Sequence, residues 1–448
     1  MLMSQRSPHP SSALPSITRR RFARWLGLAP AVTLSSVPSI GAARPRVVIV
    51  GGGAGGASTA RLLARDGGDR LDITLVEPSG TYTTCFQSNL YLGGYRTLGS
   101  LQHDYRRLAT EHGVRVVQDR VTHIDRDRRL VALANGEADD GTRNSTLGYD
   151  RLVVAPGIEL LHDSLPGHSA ALAEIAPHAW QGAQQLALLK SRLDALGNGD
   201  HVIIVAPPNP YRCPPGPYER ASMIARLFQR RGLTDSRITL LDTKTAYSKQ
   251  ALFEASWRRH YPGTIEWLPP DVHGGILSID ATRGMVETDL DTFQGQLLNL
   301  IPAQRAGAIA QDAALADASG FCPIDPGTMR STLDPAISVL GDACIAGDMP
   351  KSAFAANSQA RVVAANLLGE LLDRPVPTAR YGNICWSQIA DDDSIKVGGG
   401  YASSGNRIAS SSAFISERTD DASTREANVG EAQAWYRSIT TEMFGGTS

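Results

Sequence analysis

Short runs of apolar residues, separated by stretches with helical spacing, repeat along the first third of the chain. One such run extends from Val47 to Val50 and is followed by glycines and then by a helical pattern that continues to about Ala64. A second apolar run covers Ile73 to Val76. This order predicts a strand, a helix and a second strand, which is the βαβ unit of a parallel sheet.

The turn between the first strand and the helix contains Gly51-x-Gly53-x-x-Gly56. Glycines are needed there because the turn is tight and its backbone must approach a pyrophosphate held at the helix N-terminus. Glu77 follows the second strand, about 20 residues beyond the last glycine, where an acid binds the ribose of the adenosine half. Strand, turn, helix, strand and acid in this order predict a dinucleotide-binding domain.

The glycine pattern does not separate FAD from NAD, but two later stretches favour FAD. The sequences YDRLVVAPG (149–157) and ISVLGDACIA (337–346) each predict a strand, and the second strand ends at Gly341-Asp342. Flavoproteins with two dinucleotide-type domains use such strands to return the chain to the first domain, with the aspartate at the ribityl or phosphate region. We therefore predict bound FAD with Asp342 at its site.

A second βαβ unit is predicted from a strand at 202–206, a helix at 218–232 and a strand at 237–243. Its first turn reads Ala-Pro-Pro-Asn-Pro (206–210) instead of a glycine-rich sequence. Proline has no N–H to donate and a fixed φ, so this turn cannot cradle a pyrophosphate. The sequence predicts a nucleotide-type domain that does not bind NADH.

The composition indicates the broad class of protein. A length of 448 residues predicts two or three domains, and 42% apolar and 20% charged residues are ordinary for a soluble globular protein. The formal net charge of -1 gives no indication of nucleic-acid binding.

The N-terminus has the pattern of an export signal. Paired arginines at 19–21 precede a modest apolar stretch (25–40) and small residues up to Ala43, as in a twin-arginine signal. A membrane anchor is the alternative, but the stretch is shorter than the ~20 residues of a spanning helix and contains prolines. We expect export to the periplasm, cleavage near Ala43, and no integral membrane segment in the mature chain.

Five cysteines occur, at positions 85, 213, 322, 344 and 385. No CxxC pair and no CxxCH sequence is present, which excludes a local thioredoxin-like motif and haem attachment to this chain. No metal site is predicted. An odd number of cysteines in an exported protein indicates that one thiol is used differently. Cys322 and Cys344 are interpreted as small buried apolar residues, and a disulfide involving them stays open.

Five stretches carry a family resemblance: YTTCFQSNLYLGG, VVAPGIEL, RCPPGPYERAS, NLIPAQRAGAIAQ and VLGDACIAGDMPKSAFAANSQA. Together with the C-terminal AWYRSITTEMFG, they span nearly all of the mature chain and resemble the flavoprotein subunit of flavocytochrome c sulfide dehydrogenase. The proline-flanked cysteine followed by Pro-Gly-Pro-Tyr-Glu is not a general flavoprotein feature. The wider group includes sulfide:quinone oxidoreductases and glutathione reductase.

The resemblance implies a separate use for three cysteines. Cys85 matches a cysteine that joins the flavin 8α-methyl group through a thioether. Cys213 and Cys385, 172 positions apart, match the two halves of a redox-active disulfide. Thr83 departs from the family pattern, since a tyrosine stands there in the relative, but Cys85 itself is present.

Three further residues are candidates for the site. Glu219, six residues beyond Cys213, is either a proton acceptor that tunes the thiol or a salt-bridged acid in a first helical turn. Lys351 precedes a helix predicted from about 352 to 372, and the resemblance implies a place near the flavin pyrimidine; a solvated lysine is the alternative. Trp435, on a predicted final helix, covers the disulfide or the flavin, or packs in the core.

The resemblance implies oxidation of sulfide to polysulfide or elemental sulfur through the disulfide and FAD. Electrons would pass to a c-type cytochrome subunit, with haem c only on that partner and a heterodimer as the assembly. A sulfide:quinone oxidoreductase is an alternative, although residues 428–444 have no basic face for anionic lipid. An NADH-dependent flavin disulfide reductase is disfavoured by the proline turn. A flavin electron-transfer subunit without catalytic activity is a further alternative, and only the cysteine pair argues against it.

The predicted fold class is α/β, with two Rossmann-like dinucleotide-binding-type domains arranged as in glutathione reductase and a C-terminal α+β interface domain. The FAD-binding domain is assigned to residues 44–165 and 310–372, and the NAD-binding-like domain to 166–309. Residues 373–448 form the interface domain. The serine-rich sequences near 403–413 and 418–424 are predicted to be surface loops.

Overall fold

The computed structural model describes residues 43–136 and 145–445. Residues 1–42, which contain almost all of the predicted export signal, lie outside the described residues. Among the helices of the described residues, none is both long enough and apolar enough to cross a membrane.

The first part of the described chain alternates strands and helices around a parallel sheet. Its elements are β1 (Arg46–Val50), α1 (Ala54–Gly67), β2 (Asp72–Val76), β3 (Thr81–Thr83), α2 (Ser88–Leu92), β4 (Gln102–Asp104), α3 (Arg106–Thr110), β5 (Arg115–Val117), β6 (Val121–Asp125), β7 (Leu130–Leu133), β8 (Thr146–Gly148), β9 (Arg151–Val154) and β10 (Ile158–Leu161). Parallel pairing joins β1 to β2 on one side and to β9 on the other. The last four residues of β1 and of β2 are buried, because a parallel sheet is covered on both faces.

The middle part builds a second parallel sheet. Its elements are α4 (Ala183–Asp194), β11 (His201–Ala206), α5 (Gly216–Arg231), β12 (Arg237–Asp242), α6 (Gln250–His260), β13 (Ile265–Leu268), α7 (Pro270–His273), β14 (Ile276–Asp280), β15 (Met285–Thr288), β16 (Thr292–Gln294), β17 (Leu297–Leu300), β18 (Ala303–Ala306) and α8 (Ala308–Asp312). The sheet has the order β13-β12-β11-β17, and all six residues of β11 are buried. The predicted strand, helix and strand of this unit agree with β11, α5 and β12 to within two residues.

The last part returns to the first sheet and then adds a third one. Its elements are β19 (Arg330–Ser331), β20 (Asp334–Val339), α9 (Ala353–Leu372), β21 (Arg380–Ala390), β22 (Asp393–Ser404), β23 (Arg407–Ile415) and α10 (Ala422–Phe444). Because β20 pairs in parallel with β9, the first sheet has the order β19-β20-β9-β1-β2-β5. The predicted fold class is confirmed: two parallel sheets with covering helices are followed by an antiparallel C-terminal sheet and a helix.

The C-terminal strand β21 has neighbours from both parallel-sheet regions. It packs against α9, which follows the first sheet, and against α5, which follows the first strand of the second sheet. The final helix α10 packs on β22 and on α1. The middle of β21 therefore lies where the two regions meet.

One loop prediction is wrong. The sequence predicts a surface loop at 403–413, but these residues belong to the hairpin formed by β22 and β23, which turns at Gly405 and Asn406. Most residues of β23 are exposed because β23 is an edge strand of the three-stranded sheet. Its serines thus reflect solvent exposure at an edge and not the absence of regular structure.

A buried carboxylate, Asp393, joins three elements of this region. It lies at the start of β22 and accepts hydrogen bonds from Arg425 Nε of α10 (2.6 Å) and from His260 Nε2 at the end of α6 (2.7 Å). Arg259 also pairs with it. Burial by itself would raise the pKa of Asp393, but the hydrogen bonds from His260 and Arg425 outweigh burial and lower the pKa to about 2.

We expect Asp393→Asn to lower the free energy of unfolding by about 3 kcal/mol at neutral pH, since it leaves the buried Arg425 without a counter-charge. The pKa of Asp393 is lower in the folded protein than the usual value of about 3.9, so its contribution is full above that value. The contribution is lost as the pH falls toward about 2. Urea unfolding of wild-type and variant protein across this pH range measures the difference.

The control is Asp392→Asn, which changes the adjacent, exposed carboxylate. Equal unfolding free energies for the two variants at neutral pH would contradict the role given to Asp393.

Candidate functional site

The turn from β1 into α1 requires glycine at two positions. Gly51 has a φ of +97°, in a region that side chains disfavour. A Cβ on Gly56 would lie 1.8 Å from the carbonyl oxygen of Gly51, so a larger residue would force α1 away from β1. Gly53 is the N-cap of α1 and provides no side-chain cap, which leaves the first N–H groups of the helix available to a ligand.

Glu77, directly after β2, faces the same turn. Its carboxylate accepts hydrogen bonds from the N–H groups of Gly52 (2.8 Å) and Ser79 (3.2 Å). Glu77 and the turn both line a cavity that we name the first cavity. Its wall includes Gly51, Gly53, Glu77, Cys85, Ala155, Pro156, Gly157, Trp180, Arg212, Gly341, Asp342 and Ser352.

The buried carboxylate of Asp342 gives a direct test of whether this cavity fits FAD. One of its oxygens lies 4.0 Å from Arg212 Nη1, and the other is buried with no hydrogen-bond partner among the described residues. Burial raises the pKa of Asp342, and Arg212 opposes that effect. A buried acceptor without a donor is costly, so a ligand hydroxyl is expected there. The ribityl chain of FAD has such hydroxyls, and its pyrophosphate suits the N-terminus of α1. The residues present fit FAD.

In the second βαβ unit the corresponding acid already has partners within the protein. Asp242 ends β12, much as Glu77 follows β2, and it is fully buried. It accepts hydrogen bonds from Tyr218 Oη (2.6 Å), Trp267 Nε1 (2.8 Å) and Lys244 Nζ. The carboxylate that would bind a ribose is thus occupied by side chains of the protein, beside a turn whose prolines cannot donate.

Cys213 and Cys385 line one cavity, the second cavity. Cys213 precedes α5 with a φ of +59°, and its N–H donates to the carbonyl of Lys351 (2.9 Å). Cys385 lies in the middle of β21, which packs against α5. The wall of the cavity also includes Cys85, Phe86, Trp180, Arg212, Glu219, Phe354, Trp386 and Trp435. Cys85 and Arg212 line both cavities, so the two cavities adjoin at these residues.

The five cysteines are free thiols in the structure. Burial raises the pKa of Cys213, and the neighbouring Cys385 and Glu219 raise it further. Burial also raises the pKa of Cys385. A thiolate at either sulfur therefore depends on a nearby positive charge or hydrogen-bond donor.

Glu219 lies in the first turn of α5, beside the second cavity. Its carboxylate accepts from Asn89 Nδ2 (2.9 Å) and from the N–H of Gln388 (2.9 Å). Both donors are neutral, and within the described residues Glu219 does not form the salt bridge considered from the sequence. Burial raises its pKa, and the hydrogen bond from Asn89 opposes this. A carboxyl group with a raised pKa next to a thiol is suited to proton transfer.

Lys351 is placed differently from the other predicted site residues. Its ammonium donates to the carbonyls of Asp342 (2.8 Å) and Cys344 (2.7 Å) and lies 3.9 Å from the ring centre of Phe321. It is not among the residues that line either cavity. A contact between Lys351 and the flavin stays a prediction.

The two remaining cysteines lie in the core. Cys322 and Cys344 are fully buried, as expected for small apolar residues, and face each other across an isolated β-bridge. The thiol of Cys344 donates to the carbonyl of Gly341 (3.2 Å).

Trp435 both packs and lines the second cavity. Its ring lies 5.4 to 5.9 Å from those of Phe86, Trp386 and Phe354. The two roles considered from the sequence are therefore compatible.

Arg212 is a site residue that the sequence analysis missed. It donates to the carbonyl of Trp180 and lies beside Asp342 where the two cavities adjoin. Its position next to Cys213 is the only signal in the sequence, because the hydrophobic pattern gives no indication that an arginine here is buried.

A nucleotide-type cavity that fits FAD, adjoining a cavity with two cysteines, defines a flavoprotein of the pyridine nucleotide-disulphide oxidoreductase class, and the family model of that description matches residues 45–205. Two further models match: the central part of the flavoprotein chain of sulfide dehydrogenase [flavocytochrome c] at 186–302, and the flavin-binding part of flavocytochrome c sulphide dehydrogenase at 377–444. The chain belongs to the family of flavocytochrome c sulfide dehydrogenase flavoprotein chains, and it is an FAD-dependent oxidoreductase.

Individual relatives are similar to the chain over different shares of its length. The flavoprotein chain of sulfide dehydrogenase [flavocytochrome c] from Chlorobaculum thiosulfatiphilum is 54% identical over 44 residues, which are 10% of this chain and 90% of the relative. The mitochondrial sulfide:quinone oxidoreductase of Dictyostelium discoideum is 24% identical over 74% of this chain and 72% of its own. The sulfide:quinone oxidoreductase structure from Aquifex aeolicus has a TM-score of 0.71 at 16% identity, covering 90% of this chain and 93% of that one. At that identity the structure supports the fold alone.

We expect Gly56→Ala to yield protein with little or no FAD, because its Cβ would collide with the Gly51 carbonyl and open the turn. The ratio of flavin to protein absorbance after purification measures this. Gly430→Ala in α10 is the control, since a Cβ there meets no atom within 4 Å. Full flavin content in Gly56→Ala would contradict the assignment of this turn.

Proposed function

We propose that this protein oxidises sulfide through a Cys213–Cys385 disulfide and FAD, and that a c-type cytochrome subunit takes the electrons. The observation that carries the proposal is that two cysteines far apart in sequence line one cavity, which adjoins the FAD-type cavity at Cys85 and Arg212. The family description supports both sulfide as substrate and a cytochrome as partner. The absence of a CxxCH sequence from the chain supports placing the haem on that partner.

The residues of the first cavity would hold the cofactor. The turn at Gly51, Gly53 and Gly56 would bind the pyrophosphate, Glu77 the adenosine ribose and Asp342 a ribityl hydroxyl. FAD, when bound, accepts the two electrons that two thiolates give up as their disulfide forms, and releases them singly.

Cys85 is proposed to bind the flavin covalently through a thioether. Its position in the walls of both cavities supports this, because the link would fix one end of the flavin close to the cysteine pair. Acid precipitation is the test: flavin that stays with the wild-type protein and is released from Cys85→Ser is attached at this residue.

The cysteine pair would perform the first chemical steps. Hydrosulfide attacks one sulfur of the disulfide, so that one S–S bond forms, the other breaks, and a persulfide and a thiolate result. A second hydrosulfide attacks the outer sulfur of the persulfide and releases hydrogen disulfide, the shortest polysulfide, leaving a second thiolate. Glu219 would take up the proton when the substrate enters as neutral hydrogen sulfide.

The proposed export route is supported by the paired arginines and the apolar stretch before Ala43. The mass of the N-terminal peptide of protein recovered from the periplasm tests it, because a mature chain that begins near Arg44 requires cleavage of the signal.

A quinone is the second candidate for the electron acceptor. The similarity to the Dictyostelium discoideum sulfide:quinone oxidoreductase, over 74% of this chain, favours it. Measuring sulfide-dependent reduction of a c-type cytochrome and of a short-chain quinone by the same flavin-loaded protein decides between the acceptors. Faster quinone reduction would replace the cytochrome in the proposal.

We expect Cys213→Ser and Cys385→Ser each to lower sulfide-dependent acceptor reduction by about 10³-fold, because neither variant can form the disulfide that hydrosulfide attacks. Initial rates with flavin-loaded protein measure this. Cys322→Ser is the control, since Cys322 is buried in the core and lines neither cavity. A variant of Cys213 or Cys385 with a rate close to that of the control would contradict the mechanism.

We expect Glu219→Gln to lower kcat/KM for sulfide by about 10²-fold at acid pH, where sulfide is mostly neutral hydrogen sulfide, and to make the remaining rate follow the fraction of sulfide present as hydrosulfide. The pKa of Glu219 is raised by burial, so in wild-type protein the reactive carboxylate form increases as the pH rises through that raised value. Rates from about pH 5 to about pH 9 test this. Glu426→Gln, at an exposed position of α10, is the control. A pH profile and an acid-side rate in Glu219→Gln equal to those of wild-type protein would exclude Glu219 as the base.

A further inference from the structure

Lys249 is a buried cation beside the cysteine pair. It lies just before α6, and its side chain crosses to β21, the strand of Cys385. Its Nζ donates to Ser387 Oγ (2.8 Å) and to the carbonyl of Cys385 (3.1 Å), and only 5% of the residue is exposed. Its backbone has a φ of +62°, a conformation that costs free energy in a residue with a side chain. The fold therefore holds an ammonium group next to Cys385 in spite of both burial and backbone strain.

The choice of lysine at this position is unusual for this chain. The sequence contains 5 lysines and 39 arginines, so arginine is its ordinary cation. Arg220, which is fully buried in the same region, shows that a structural cation here can be an arginine. Lysine differs in carrying a compact charge whose pKa shifts readily on burial, as reactive sites require.

The charged groups around Lys249 come from several elements. The pKa of Lys249 is lowered to about 8, mainly by burial. The neighbouring Cys385, Glu219 and Cys213 oppose this effect, whereas Arg425 of α10 adds to it. Of the two cations, Lys249 is the one that donates to the backbone of β21, and it is positively charged below about pH 8.

Lys249 lowers the pKa of Cys385 more effectively than that of Cys213. For Cys385, Lys249 is the main influence that opposes burial, and Asn383 Nδ2 lies 3.7 Å from the same sulfur as a donor. For Cys213, Lys249 has a weaker influence than Cys385, Glu219 and Cys85, which all disfavour its thiolate. Negative charge is therefore better stabilised on Cys385 than on Cys213.

We propose that Lys249 directs the attack of hydrosulfide: it stabilises Cys385 as the leaving thiolate, so that the incoming sulfur becomes bound to Cys213. This rests on the proposed function. In this step an S–S bond forms between hydrosulfide and Cys213 Sγ, and the Cys213–Cys385 bond breaks. Its electron pair stays on Cys385 Sγ, the persulfide keeps the proton of hydrosulfide, and the ammonium keeps its own. Lys249 is thus a positioning residue that acts through its charge on Cys385.

The first test measures the two thiols without turnover. Flavin-loaded protein is reduced with dithiothreitol and alkylated with iodoacetamide at a series of pH values, and the rates at Cys213 and Cys385 are read from peptide masses. In wild-type protein Cys385 reacts faster at neutral pH, and this advantage declines as the pH rises past about 8, where Lys249 loses its charge. Lys249→Met slows Cys385 about tenfold, as a shift of one pKa unit requires, and changes Cys213 less.

Lys396→Met is the matched control, because Lys396 lies on the neighbouring strand β22 and pairs with Glu431. Its alkylation rates should equal those of wild-type protein. Equal rates at the two cysteines in wild-type protein, or an unchanged Cys385 rate in Lys249→Met, overturn the inference. The wild-type pH series decides the question by itself if the methionine variant does not fold.

The second test locates the persulfide. Oxidised protein receives one equivalent of sulfide, is alkylated at once, and the cysteine peptide with one additional sulfur atom is identified. The inference predicts the added sulfur on Cys213, and an added sulfur on Cys385 overturns it. A persulfide on neither cysteine contradicts the proposed function instead, while the alkylation rates still report the effect of Lys249 on Cys385.

Discussion

The packing of β21 against both α5 and α9 is the constraint on which the site depends. Cys213 lies just before α5, and its N–H donates a hydrogen bond to the carbonyl of Lys351, just before α9. Cys385 lines the same cavity as Cys213 because β21 packs against both of these helices. The same strand accepts a hydrogen bond from Lys249 at the carbonyl of Cys385 and donates one to Glu219 from the N–H of Gln388, so its position also sets the charges around the sulfurs.

The two βαβ units show how one fold supports different chemistry. In the first unit the turn is rich in glycine, and Asp342, which follows β20 of the same sheet, has a buried oxygen with no donor among the described residues. In the second unit prolines remove the donors from the turn, and Asp242 is used by Tyr218, Trp267 and Lys244. The region of the second unit instead supplies Cys213 to the cavity next to the flavin site, and a buried lysine, Lys249, that donates to the carbonyl of Cys385. Electrons would thus enter through sulfur and not through a nicotinamide.

The sequence predicted what depends on local spacing. The glycine turn with Glu77 is predicted from residues of the first βαβ unit, and the proline turn from residues of the second. Each lies where its pattern indicated. The hairpin at 403–415 was missed because its polar residues reflect an exposed edge and give no strand alternation. Arg212 and Lys249 were missed because their significance depends on contacts with distant residues. Nothing near Lys249 in the sequence indicates that its ammonium reaches Ser387, 138 positions away.

The central claim is that electrons enter through the cysteine pair and not through the second nucleotide-type unit. Its most direct test is an anaerobic titration of the flavin-loaded protein with sulfide and, separately, with NADH, followed by the visible absorbance of the flavin. The account predicts that sulfide bleaches the flavin or produces a long-wavelength charge-transfer band, and that NADH does neither. Bleaching by NADH alone would contradict it, because the second unit would then bind a nucleotide in spite of its proline turn.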